Sequence, residues 1–139
     1  MTTYFKKIAT ITFFSSYASF AFAPNNGFIT IGKKPPVHAF SNLIYALGMV
    51  ETGIDTLAYN PVEEAVGFLQ IRPIRLLDYN RRTGSNYTAR DVYSYKISEK
   101  IFLYYASKIG PYNFELIARN WNGSGRKTFI YWNQVKEYL

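Results

Sequence analysis

Cysteine is absent from the 139 residues, which excludes a disulfide framework, a thiolate nucleophile and a thiolate metal site. Histidine is almost absent too, since His38 stands alone in the lead-in to a helix. A zinc site would lack its usual ligands and a Ser-His-Asp triad would have to be built on this one residue, so His38 is read as a surface or capping group. No metal and no cofactor are expected. Charged residues are sparse, at 18% against 48% hydrophobic, a balance that sets aside disorder and calls for a buried core. The uncharged run 8–23, before the turn-rich residues that follow it, falls short of the ~20 apolar residues of a membrane span, and no later apolar stretch approaches that length. A mature protein without stable membrane insertion is expected. Internal repeats and low-complexity tracts are also lacking, and the length suits a single domain.

Aromatic residues, by contrast, are abundant: 13 Tyr, 11 Phe and 2 Trp make up 19% of the chain. Such an excess serves either a packed core or a groove that stacks sugars or bases. The net charge of +7 and a pI near 9.6 favour an anionic partner, whether nucleic acid, a membrane surface or a bacterial wall. Beyond residue 36 the basic residues are dispersed, with only Arg81-Arg82 and Arg126-Lys127 adjacent.

The first residues carry an address. Lys6 and Lys7 precede the uncharged run 8–23, which ends in Ala21-Phe22-Ala23, so residues 1–23 read as a secretory signal peptide. Pro24 would then occupy the first mature position, which is unfavourable for a protease, and cleavage after Ala21 or Ala18 is the alternative. Residues 24–36, with Asn25-Asn26-Gly27 and Lys33-Lys34-Pro35-Pro36, read as a linker or edge segment. The domain proper is expected over 37–139. Export to a periplasm or cell envelope argues against a nucleic-acid partner.

Helical periodicity dominates that domain. Phe40, Ile44 and Leu47 recur in steps of four and three, flanked by Leu43 and Val50, which predicts a helix over 40–51 stopped by Gly53. Residues 54–66 read as a loop, 67–71 as a turn or short helix, and 74–79 as a brief helix after Pro73. Residues 81–86 read as a polar turn, and Thr88 with Asp91 as a capping pair. Further helices are expected from Ile97 to Lys108, ended by Gly110-Pro111, and from Phe114 to Trp121, closed by 122–125. A last helix over 128–139 would turn Phe129, Trp132 and Val135 inward. The fold class is mainly α, with little strand.

Glu51 continues the stripe of Phe40, Ile44 and Leu47 by one more step of four, which sets a carboxylate on the apolar face at the C-terminal end of its helix. Desolvation and the negative end of the helix dipole both oppose ionisation there. A carboxylic acid kept protonated near neutral pH is what glycosidic cleavage requires to protonate the leaving oxygen. Periodicity alone also fits a Glu at a frayed helix end turned to water.

The following residues narrow the choice. Val50-Glu51-Thr52-Gly53, then Ala58-Tyr59-Asn60-Pro61, then Glu64-Ala65-Val66-Gly67-Phe68-Leu69-Gln70-Ile71-Arg72-Pro73, and later Ala118-Arg119-Asn120-Trp121-Asn122-Gly123 stand in order along 40–125. Together they resemble the lytic transglycosylase (SLT) family of the lysozyme-like superfamily, which has a helix ending in Glu-Ser, an Asn-Pro loop, a Gly-Leu-Met-Gln-Ile element and an Ala-Ala-Tyr-Asn element. The resemblance implies a single goose-type or SLT-like lysozyme domain that cleaves the MurNAc-GlcNAc β-1,4 bond of peptidoglycan glycan strands. It implies no particular protein partner. Glu51 matches the family's acid/base, Gln70 its cleft glutamine and Asn122 the asparagine on the floor of the groove. Tyr105 matches the tyrosine of a later helix if Ser98 aligns with that helix's asparagine, with Tyr104 as the alternative. Thr52 replaces the serine and Trp121 the tyrosine beside the asparagine, and both are expected at the substrate. Ser124 and Phe102 stand where the family has glycine.

No second carboxylate is singled out by a motif; Asp55, Glu63, Glu64 and Asp78 are nearby. An inverting goose-type-like hydrolase would need such a base, roughly 6.5–9.5 Å from the acid. A non-catalytic wall-binding module is the remaining alternative.

Overall fold

The computed structural model describes residues 39–139; the leader, the linker segment and His38 lie outside them. In chain order the elements are α1 (Ser41–Thr52), β1 (Tyr59–Asn60), β2 (Ala65–Val66), α2 (Pro73–Thr83), a 3-10 turn (Asp91–Tyr93), α3 (Tyr95–Ile109), α4 (Phe114–Asn122) and α5 (Lys127–Lys136). The described part is mainly helical.

The α1 stripe packs as its spacing predicts, with Leu43, Ile44 and Leu47 almost fully buried. Gly53 ends the helix in the left-handed conformation, at φ 66°, where glycine has no steric penalty. A second glycine brings α1 against the following loop. A Cβ on Gly48 would come within 2.8 Å of the Phe68 ring and 2.7 Å of Ile54 Cδ1, so only glycine fits. Ile54 itself sits at φ 68°, an unusual value for a β-branched residue, stabilised here by packing on Gly48.

Residues 54–66 contain a small antiparallel pair in place of a plain loop: Tyr59 faces Val66 and Asn60 faces Ala65. Asn60 Oδ1 accepts from the Val62 and Glu63 amides at 3.0 and 3.4 Å, which folds the connection between the strands. A tight turn over 67–70 follows, closed by the bridge of Val66 with Ile71.

Two further expectations are corrected. The helix after Pro73 runs on through Thr83, so Arg81 and Arg82 form its last turn, where cations suit the dipole and Arg82 pairs with Asp78 one turn earlier. In α5 the inward face is Thr128, Tyr131 and Val135, whereas Phe129 is 50% exposed beneath the Arg119 guanidinium. Thr88 and Asp91 do pair: Asp91 Oδ2 accepts from the Thr88 amide and hydroxyl, each at 2.7 Å. α4 packs on α3 and α5, and α1 on α4 and α5, which brings the ends of α1 and α4 together beside the 67–70 turn.

Candidate active site

The 67–70 turn is pinned on both sides. The Thr52 hydroxyl, at the end of α1, donates to the Phe68 carbonyl at 3.1 Å, and the Trp121 indole, at the end of α4, donates to the Leu69 carbonyl at 3.0 Å. Gly67 makes the turn possible. At φ 75°, a Cβ here would lie 2.7 Å from the Val92 carbonyl oxygen. Gln70 closes the turn at φ 48°, a strained value for a residue with a side chain, and its amide nitrogen donates to the Gly67 carbonyl at 3.0 Å. This fixes the direction of the side chain and leaves Oε1 without a protein partner among the described residues.

Glu51, Gln70, Trp121 and Asn122 line one small cavity, together with Glu63, Arg72 and Arg75. Four of the six residues singled out by sequence thus meet at one place. Thr52 stands one residue further along α1 and serves the turn instead. Trp121 is largely buried, edge-on to Phe102 at 5.1 Å and covered on a face by Arg75 at 4.1 Å, so it is a wall of the site more than an open platform. Tyr105 lies in an adjoining groove, where its hydroxyl sits 2.9 Å from Asp78 Oδ2 and 3.1 Å from the Arg75 carbonyl.

The residue that sequence reasoning missed is Tyr131. Its hydroxyl donates to Glu51 Oε1 at 2.6 Å from the buried face of α5. Among the described residues Glu51 Oε2 has no hydrogen-bond partner and no buried side-chain oxygen lacks one, so Oε2 reaches the cavity's solvent. Burial pushes the Glu51 carboxyl above its ordinary value. That effect outweighs the Tyr131 hydrogen bond and the charge of Arg72, both of which favour the anion, while Glu63 adds to the rise. Burial and the neighbouring Glu51 likewise push the Tyr131 phenol upward, so it remains a proton donor.

Glu63 is held differently. Arg72 Nε and Nη2 each lie 3.0 Å from one of its oxygens, a bidentate pair at the mouth of the cavity. The arrangement thus contains one carboxyl whose protonated form burial favours and one paired bidentately with an arginine. Among the described residues no group of three His, Cys, Asp or Glu side chains gathers to hold a metal ion. No helix among them is long and apolar enough to cross a membrane. No protein-family model, curated protein or solved structure matches this chain.

Proposed function

We propose that residues 37–139 form a lysozyme-like domain of the lytic transglycosylase type, exported to the cell envelope, which cleaves peptidoglycan glycan strands with Glu51 as the single acid/base. The observation that carries this reading is convergence: three of the four separated stretches that resemble the SLT family contribute Glu51, Gln70 and Asn122 to one cavity. The physical state of Glu51 supports it independently, since a carboxyl raised by burial is the acid a glycosidic bond requires.

In this reading Oε2 of protonated Glu51 gives its proton to the glycosidic oxygen as the bond to the muramic acid C1 breaks. Positive charge develops at C1 and the carboxylate left behind stabilises it. The same carboxylate then takes the proton of the muramic acid 6-hydroxyl as that oxygen bonds to C1, which closes a 1,6-anhydro ring and returns Glu51 to its starting state. Tyr131 holds Oε1, so the other oxygen faces the substrate. Gln70 Oε1 and the Asn122 amide, unpartnered among the described residues, serve sugar hydroxyl and acetamido groups.

Glu63 on the same cavity favours one second reading, an inverting hydrolase in which it activates water. Both of its oxygens being engaged by Arg72 counts against that role. Mass analysis of the products from purified sacculi separates the two, because a hydrolytic end carries the elements of water that an anhydro end lacks. Clear binding to several peptidoglycans without cleavage of any would favour a wall-binding module.

A further inference from the structure

Beside the Glu51 cavity, and sharing Arg75 and Trp121 with it, lies a larger groove of about 440 Å³. That volume falls within the ~300–1,000 Å³ of small-molecule sites. Its walls are mostly apolar, from Ile74, Phe102, Ala106, Ile109 and Ile117, with two charged side chains, Arg75 and Asp78.

The two charges are not equivalent. Arg82 Nε lies 2.8 Å from each Asp78 oxygen and the Tyr105 hydroxyl 2.9 Å from Oδ2, so the negative charge of Asp78 is already answered. Arg75 forms no ion pair with any described carboxylate. Its guanidinium rests on the Trp121 ring and donates to the Asn120 carbonyl at 3.2 Å, which uses one of five N–H donors. A half-buried cation with spare donors, set into an apolar wall, fits a ligand that carries a carboxylate among small apolar groups. Within the substrate read above, neutral sugar rings lack that combination; the peptide stem on the lactyl group has it.

We propose that the groove beside Arg75 seats the peptide stem of the muramic acid, with the guanidinium pairing to a stem carboxylate, so that the protein cleaves stem-bearing strands in preference to bare glycan. This rests on the reading of Glu51 and extends it to the substrate's second half.

The test compares rates on purified strands with rates on the same strands after an amidase has removed the stems, leaving only the lactyl carboxylate. For the full-length protein kcat/KM should be about tenfold or more higher on stem-bearing strands, the scale of one charge-assisted hydrogen bond. Arg75→Gln should shrink that ratio toward one. Ile74→Glu should do the same while sparing the fold, because Ile74 is 71% exposed in the first turn of α2, where a carboxylate suits the helix dipole. A wild-type ratio near one, or a ratio unmoved by both substitutions, would overturn the proposal and leave the lactyl carboxylate or the sugars as the groove's occupants. Calorimetry on Glu51→Gln with a stem-bearing and a bare disaccharide supplies a second readout. If the wild type cleaves neither substrate, the reading of Glu51 fails and binding decides the groove: tighter binding of the stem-bearing sugar, weakened by Ile74→Glu, supports it, and equal binding overturns it.

Discussion

The Tyr131 hydroxyl lies 2.6 Å from Glu51 Oε1, a contact that joins α5 to α1 across 80 residues of chain. Because this bond favours the carboxylate, its loss should raise the Glu51 carboxyl further. Tyr131→Phe should therefore lower kcat/KM by about tenfold, the scale of a hydrogen bond to a charged group, and move the alkaline limb of the pH profile to higher pH. A limb that moves to lower pH would show that the phenol stabilises the acid form instead.

The same burial has a consequence for stability. A carboxyl raised in the folded state contributes stability that is fully present below its ordinary 4.5 and is lost as pH rises through the folded value. Glu51→Gln removes the titration. The variant should unfold at a higher temperature than the wild type near neutral pH, and the gap should close as the pH falls below 4.5. Thermal unfolding followed by circular dichroism across that range checks it; a gap independent of pH would contradict the cause given for the shift.

Glu63 and Arg72 form an exposed bidentate pair, 44% and 39% accessible at their side chains, which sets a low ceiling on its worth. Glu63→Gln should change stability by at most ~1 kcal/mol. If Glu51 acts alone, cleavage by this variant should stay within about twofold of wild type, whereas a water-activating base would lose ~100-fold.

Gly67 is required twice, by its φ of 75° and by the Val92 carbonyl oxygen 2.7 Å from where a Cβ would stand. Gly67→Ala should cost about 2 kcal/mol through strain and displacement, or roughly 8–16 °C in Tm. Since the turn also aims Gln70, activity at a temperature where the variant is folded should fall as well. Unchanged Tm and activity would mean that the turn tolerates a side chain.

The helices were legible where one face is apolar and the other polar. The α1 stripe and Gly53 located that helix to within a residue at each end and gave the phase of Glu51, and α4 followed from Phe114, Ile117, Ala118 and Trp121. In α5 the run Phe129-Ile130-Tyr131-Trp132 is apolar all round, so its period does not reveal which aromatic turns inward; packing against α1 and α4 selects Tyr131. Arg75 was unreadable for a related reason. Nothing local marks it, and its place depends on Trp121 and Asn120, which arrive from α4. The strands escaped notice because two residues carry no pattern, and their pairing is fixed by the turn at Asn60. Glu51, Gln70 and Asn122 could be named from their motifs, but the strain at Gln70 and the pins from Thr52 and Trp121 are long-range results of folding.

We propose above all that Glu51 is the sole acid/base of a transglycosylase. The most direct test is mass analysis of the products released from purified sacculi by the wild type and by Glu51→Gln, which keeps the shape of the side chain but cannot shuttle the proton. The wild type should release 1,6-anhydro ends, and the variant should lose ~100-fold or more in rate. Wild-type rates from Glu51→Gln, or hydrated reducing ends from the wild type, would contradict this.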